Sequence, residues 1–541
     1  MNIQVADQKR RFSILCTTST NQTRKIAQTR FPKKSLNLLA LFFVLLLATG
    51  CGGNSSTPTP TPTPTPTASN GHFRALESVT ATHSLSTIRR DDTSAPTSSM
   101  TYARSSETAT LLADGRVLVA GGSVDAIGTY TAEVFDPSTE MFSLLDSTMS
   151  WGRMNHCAVT LPDNRVLLIG GWAMSWVGPV PNWDLPPTVD VFDPTTNTFS
   201  AQVLSGPLPD STGATPPQCF PLSGNRVFIY SDQAGLMVLD TNAWQTLALQ
   251  WNASSWPIYS NVTQTLDGKV WVVGGQIGDP LAGPMDYLST ADILWFDPET
   301  ESLSTVGQLL QARQLAGILP FPDNSVEVYG GAYWADPTSG DAERISSIER
   351  IDSAANASKI GDMPLPKSVF TPIMLQNGKS LQAGGTDPNG YAIDTQFVFD
   401  ETTHISGVTG NMVEKRVNYG ITPLTTGRVF IVGGADDYGV VSNTAEIFEP
   451  DASIYVLMPK TTVAPGEFMQ LSTESATSGD VTWTANYGTI TTTGGYTAPS
   501  ENPNGTANPV TTVQDEVPAA LSTGAEAVAP ITIQFPASTS P

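Results

Sequence analysis

Six short segments of this chain end in the same way. VLVAGG (117–122) recurs as VLLIGG (166–171), VWVVGG (270–275), VEVYGG (326–331), SLQAGG (380–385) and VFIVGG (429–434). A degenerate copy, VFIYSD (227–232), fills the widest gap, so the seven copies lie 43 to 61 residues apart. Self-similarity at that spacing indicates an array of small supersecondary units that cannot bury their apolar faces singly. A strand running into glycines also opens nucleotide sites. No GxGxxG or GxxxxGK[ST] pattern is present here, and no helix is signalled. The glycines read instead as points where a strand turns sharply and packs closely on its surroundings.

Each unit contains four strand-like pieces. In the second they are HCAVTL (156–161), a PDN turn, RVLLIGG (165–171), a variable loop, TVDVFDP (188–194) and NTFS (197–200). The third piece keeps an apolar residue before an acid: Phe135-Asp136, Phe192-Asp193, Leu239-Asp240, Phe296-Asp297, Ile351-Asp352, Phe399-Asp400 and Phe448-Glu449. Asp followed by polar residues is turn chemistry, because its carboxylate accepts nearby backbone N–H groups. Four antiparallel strands leave apolar faces open, and seven such sheets packed radially cover them.

The diglycine after a strand, the aromatic-Asp-Pro third strand and the Phe142, Phe199 or Trp244 that opens the fourth resemble kelch repeats. Unit 3 departs at Ser231-Asp232 and unit 5 at Ser358. The resemblance implies an all-β chain with a seven-bladed kelch β-propeller over 72–451. Beyond it, TVAPGEFMQLST (462–473), VTWTANYGTI (481–490) and GGYTAPS (494–500) resemble a bacterial Ig-like module, a β-sandwich over 452–541 with Trp483 as its expected core residue. IYV at 454–456 fits either the outer strand of blade 7 or the first strand of the Ig-like domain. In the second case, residues 72–88 are expected to close blade 7.

The chain begins differently. Eight basic residues and one acid fill positions 1–50, an apolar run spans 36–47, and LATGC ends at Cys51. This reads as an export leader, and its ending resembles a bacterial lipobox, which implies that Cys51 is lipidated and that 1–50 is removed. Residues 51–71 include TPTPTPTPTPT, a polyproline-type spacer of about 34 Å at ~3.1 Å per residue. The expectation is a membrane-anchored protein of the bacterial cell envelope, facing either the periplasm or the exterior. With 27 basic and 50 acidic residues, the net charge of −23 argues against nucleic acid as a partner. Beyond Cys16 and Cys51 only Cys157 and Cys219 remain, either as a disulfide or as two buried thiols.

Two sets of residues are candidates for binding. Counting back eighteen positions from the second glycine gives Arg104, Arg153, Arg313, Lys367 and Arg416, with Ala214 and Pro257 in units 3 and 4. They read either as a positive ring for an anionic ligand or as cations bonded within the blades. The loops after the glycines carry Trp172, Trp176, Trp183, Tyr287, Tyr333, Trp334, Tyr391 and Tyr438 among Asp336, Asp341, Asp436 and Asp437. Aromatics beside acids suit glycan stacking or protein contact.

Catalytic readings are weaker. Kelch propellers followed by Ig-like domains include copper oxidases similar to galactose oxidase, which need two histidines and two tyrosines. Here His72 and His83 precede the repeats and only His156 and His404 lie within them. No CxxC, HExxH or GxSxG is present, so no metal or cofactor is expected. The expectation is a protein or glycan binder without catalysis. The alternative is a sugar-acid isomerase similar to the sialic acid mutarotases among kelch propellers.

Overall fold

The computed structural model describes residues 3–7, 12–17, 23–29, 73–75, 98–124, 127–177, 180–209, 215–249, 257–277, 288–334, 342–450, 454–475, 480–503, 512–522 and 526–535. Cys51, the Thr-Pro spacer and the apolar run at 36–47 lie outside them. The chain divides into two compact units, Met1–Thr65 with Pro280–Asp286, and the remainder. In the first unit, strands Ile3–Asp7, Phe12–Thr17 and Thr23–Thr29 form an antiparallel sheet in chain order. The second unit is all-β, with no helix among its described residues.

The repeats of the second unit form seven antiparallel sheets, numbered 1 to 7 in chain order. In sheet 1, Ser105–Leu111, Val117–Val124, Ala132–Asp136 and Met141–Leu144 pair in sequence. The second strand is apolar without alternation because both faces are covered, and Val117, Leu118, Val119 and Ala120 are fully buried. The acid after the third strand holds the next turn: Asp136 Oδ1 accepts the Ser138 N–H at 2.8 Å, and Asp193, Asp240, Asp297, Asp352 and Asp400 repeat the contact. First strands Met154–Thr160, Gln218–Leu222, Asn261–Gln264, Gly317–Pro320, Pro372–Met374 and Gly420–Pro423 begin sheets 2 to 7. Sheet 7 takes its fourth strand from the other end of the repeat array, where Phe73–Ala75 pairs with Ala445–Phe448.

Neighbouring sheets share apolar clusters. One joins sheets 1 and 2 through Leu118, Val134, Leu168 and Phe192, and another joins sheets 7 and 1 through Phe430, Val432, Val117 and Phe135. Phe135 stacks on Phe430 with ring centroids 4.2 Å apart. The sheets therefore follow one another in a closed cycle, with first strands adjacent at six of the seven joints and sheets 6 and 7 sharing the Leu381, Val398, Val429 and Phe448 cluster.

The diglycines are the joints of this cycle. The second glycine donates its N–H to the carbonyl of the cation in the next sheet: Gly122 to Arg153 at 2.9 Å, Gly275 to Arg313 at 2.8 Å, Gly331 to Lys367 at 2.9 Å and Gly434 to Arg104 at 3.0 Å. The first glycine lies so close that a Cβ on Gly121 would sit 2.6 Å from the Arg153 oxygen. Side-chain groups reinforce the joints of sheet 3, whose own diglycine is replaced by Ser231-Asp232. Cys157 and Cys219 form a disulfide between sheets 2 and 3, with Cα atoms 5.9 Å apart. Asp232 accepts the Tyr259 N–H at 2.8 Å and Tyr230 donates to the Pro257 carbonyl at 3.0 Å, joining sheets 3 and 4.

Ile454–Met458 does not join sheet 7. It pairs with Ile405–Thr409 at the outer edge of sheet 6 and then with Ser472–Ser475. Sheet 6 is thus extended to six strands and shares one apolar core with the C-terminal strands. Those strands form two further sheets, in which Thr462–Val463 runs parallel to Glu526–Gln534. Trp483 is partly buried and packs against this core from its edge, beside Gln470 and Thr493, rather than at its centre. Tyr496 occupies the core instead. Its hydroxyl donates to Asp515 Oδ2 at 2.6 Å, and Asp515 also accepts the N–H groups of Asn486, Tyr487 and Gly488. The buried carboxylate survives there because both of its oxygens accept from donors.

Candidate functional site

The strand directions place the loop after each diglycine and the segment entering each first strand on one face, the loop face. The five cations begin here, but they do not open onto it. Arg104, Arg153, Arg313, Lys367 and Arg416 are all fully buried. Arg104 donates to the carbonyls of Gly121 (2.8 Å) and Thr131 (3.0 Å) and to Glu133 Oε1 (2.8 Å). Arg153 pairs with Asp190, Arg313 with Glu349, and Arg416 with Glu446 at 2.7 Å. The positive ring for an anion is therefore corrected. Each Arg is neutralised inside its own sheet, because a buried guanidinium is held only by an acid and enough acceptors.

The acids were missed by sequence reasoning, yet the register contained them. Each lies two residues before the apolar position of the third strand: Glu133, Asp190, Glu349 and Glu446. Where the cation is Lys367, that place holds Phe397, and the ammonium lies 4.8 Å from its ring centroid and 4.6 Å from that of Phe370. Lys367 Nζ donates to the Gln382 and Gly384 carbonyls at 2.6 and 2.8 Å, and burial pushes its pKa well down. Sheets 3 and 4, with Ala214 and Pro257, carry Met237 and Leu294 at the acid's place. Arg and its acid appear and disappear together along the chain.

The aromatic loops are divided. Tyr287, Asp336 and Asp341 lie outside the described residues. Trp176 and Trp183 fall on a hairpin, Val166–Val177 with Val180–Asp184, in which Trp176 pairs with Pro181 and Trp183 with Met174. Tyr333 and Trp334 are half-buried, and Trp334 N–H donates to Ser289 Oγ at 3.0 Å. Tyr391 and Tyr438 are exposed, at 60% and 85%.

These two tyrosines are displayed by matching loops. In sheet 6, Asp387 Oδ1 accepts the N–H groups of Asn389 (2.8 Å) and Tyr391 (2.9 Å); in sheet 7, Asp436 Oδ1 accepts those of Tyr438 (2.8 Å) and Val440 (2.9 Å). Each loop is thus held in shape by its own aspartate. The loops also touch, since Ala392 donates its N–H to Asp437. Tyr391 precedes Ala392 and Tyr438 follows Asp437, so the tyrosines stand one residue, about 3.8 Å of chain, to either side of that bond. Beside them Arg344 of the sheet 5 loop is half-buried, and among the described residues its guanidinium makes no hydrogen bond. Burial pushes the pKa of Arg344 down and the nearby Asp387 charge pushes it up.

Two titratable groups lie deeper, on the first strands. Glu107 Oε1 accepts the Gly420 N–H at 3.0 Å across the joint of sheets 1 and 7, its Oε2 has no partner, and burial pushes its pKa up to about 8. His156 shares a hydrogen bond with Thr108 Oγ1 at 3.0 Å, and burial pushes it down to about 3, so it is neutral.

No family model matches the chain, and no curated protein matches it. Among solved structures it is similar to one described as "Structure of YjhT", at 14% identity and a TM-score of 0.40, over 56% of this chain and 96% of that one. The expectation of a protein without catalysis is withdrawn. A likeness of this degree assigns no activity to the present chain.

Proposed function

We propose that this is a lipid-anchored protein of the bacterial envelope, in which the seven sheets are a kelch-type propeller and the C-terminal strands an Ig-like module. Its loop face binds a saccharide through Tyr391 and Tyr438. The observation that carries this reading is the pair of matching, mutually bonded loops that hold both tyrosines out of the fold. Aromatic faces cover the apolar faces of pyranose rings, and the carboxylates of Asp436 and Asp437 lie within reach of hydroxyl donors. A protein partner is the competing occupant of the same tyrosines.

The test is glycan-array screening followed by titration calorimetry with wild type and with Tyr391→Ala plus Tyr438→Ala. A loss of at least tenfold, about 1.4 kcal/mol, with unchanged melting supports the reading. Equal affinity for every saccharide bound overturns it.

A second reading, a sugar-acid isomerase, draws on Glu107. Anomer exchange needs a group that gives and takes a proton near neutral pH, and burial holds this carboxyl at about 8. NMR exchange spectroscopy on N-acetylneuraminate, comparing wild type with Glu107→Gln, decides it. Exchange no faster than in buffer removes this reading and leaves the binding reading standing.

A further inference from the structure

Two positions after each of the five cations, and after Pro257 in sheet 4, the backbone enters its first strand with a positive φ. Ser106 (59°), Asn155 (49°), Tyr259 (56°), Leu315 (52°), Val369 (59°) and Asn418 (53°) occupy this place in six of the seven sheets. Sheet 3 has Pro216 there, whose ring forbids that conformation. The six are joined edge to edge in part: Ser106 N–H donates to the Asn418 carbonyl (2.8 Å), Leu315 to Tyr259 (3.2 Å) and Val369 to Leu315 (3.0 Å). Because first strands are neighbours at six of the seven joints of the cycle, these residues form its inner rim on the loop face.

The rim is strained. The left-handed region disfavours any side chain with a Cβ, most of all a β-branched one such as Val369. This chain places glycine at positive φ in every intact diglycine, yet in none of these six. The side chains kept at this cost are open. Val369 and Asn418 are exposed, Ser106, Asn155, Tyr259 and Leu315 are partly exposed, and next to them Glu107, His156, Ser260 and Phe370 are buried. Strain of this kind gathers where a ligand is held.

The chemistry of the rim is specific. It carries no charge, in a chain of net charge −23. Tyr259, Leu315 and Val369 follow one another as an apolar arc, while Asn418, Ser106 and Asn155 follow one another as a polar one. The side chains of these last three make no hydrogen bond to any described residue.

We propose that this rim binds the neutral end of a saccharide, one ring face on the Tyr259–Leu315–Val369 arc and its hydroxyls on Asn418, Ser106 and Asn155. The proposal rests on the saccharide reading above and places the chain end inward of Tyr391 and Tyr438.

The test uses the full chain with galactose, N-acetylglucosamine and maltose as neutral probes and N-acetylneuraminate as the acidic one, followed by saturation-transfer NMR and calorimetry. Val369→Gly and Asn418→Leu should each weaken the best neutral probe at least tenfold. Val369→Gly should melt at or above the wild-type temperature, since glycine relieves the backbone, and a purely structural residue would not separate affinity from stability in this way. Rim variants that bind like wild type, while Tyr391→Ala plus Tyr438→Ala loses the probe, overturn the rim and keep the saccharide reading. No binding of any probe by wild type at millimolar concentration overturns both. Tighter binding of N-acetylneuraminate than of every neutral probe overturns the neutral ligand.

Discussion

Removing one member of a buried pair should expose how far the Arg–acid pairs hold the repeats together. Glu133 is fully buried, accepts Arg104 Nη2 at 2.8 Å and also accepts the Thr101 N–H at 2.8 Å. Glu133→Ala leaves a buried guanidinium without its counter-charge and a backbone donor without an acceptor. Loss of one partner from a buried pair costs about 3–5 kcal/mol, and each stranded donor accounts for about 1–3 kcal/mol of that. Arg104→Met with Glu133→Leu removes both charges, and an apolar residue at the acid's place is what sheets 3 and 4 already contain in Met237 and Leu294. That double variant should lose about 2 kcal/mol less than the two single losses added together. Equilibrium urea unfolding of wild type, both single variants and the double variant measures the coupling directly. A Glu133→Ala cost under about 1 kcal/mol, or strict additivity in the cycle, would refute the assignment of the pair as a joint of the fold.

Other perturbations test neighbouring features. Gly121→Ala drives a Cβ to 2.6 Å from the Arg153 carbonyl at φ +66°; a lower melting temperature is expected, and an unchanged one would show that the joint gives way freely. Reducing Cys157–Cys219, which closes a loop of 62 residues, should cost about 4 kcal/mol on a chain-entropy basis, read as the shift in urea midpoint with and without dithiothreitol. Glu401 is also held at about 8, first by burial and then by the charge of Glu327, and the Tyr329 hydroxyl lies between both acids, 2.6 Å from Glu327 and 3.0 Å from Glu401. A folded-state pKa raised above the ordinary carboxyl value of about 4.5 gives stability that is complete below 4.5 and is lost as pH rises through 8. The decline in urea midpoint between pH 5 and 8 should therefore flatten in Glu401→Gln and in Glu107→Gln, and a profile equal to wild type would contradict the burial argument.

Local periodic features were legible because a single strand or turn enforces them. The diglycines, the continuous apolar run of each second strand and the turn-holding Asp136 and its equivalents all act within one sheet or across one joint. Arg104 and its equivalents were legible as a register but not in their destination. Counting cations alone suggests a ring, whereas reading Glu133, Asp190, Glu349 and Glu446 in the same register, and Phe397 opposite Lys367, points inward. The edge position of Ile454–Met458 was hidden because an apolar strand fits any open sheet edge. The contact between the Tyr391 and Tyr438 loops was hidden too, since 45 residues separate Ala392 from Asp437. Positive φ leaves a trace in sequence only where the residue tolerates it, as at Asn155 and Asn418, and none at Leu315 or Val369.

The two registers lead to one constraint on what this face can bind. Position by position, the repeat buries its cations and matches four of them with acids, so those charges contribute no outward potential. Two residues further on, it exposes side chains without charge. The carboxylates that remain near the tyrosines, Asp387, Asp436 and Asp437, each accept backbone N–H groups that orient them. Among the described residues of those loops, Arg344 is the cation standing against them. An anionic ligand would meet more negative than positive charge on approach and pay desolvation without a matching partner. A neutral ligand with many hydroxyls meets acceptors, amides and aromatic faces instead. The same distribution that rules out the five-cation anion site therefore favours a neutral saccharide.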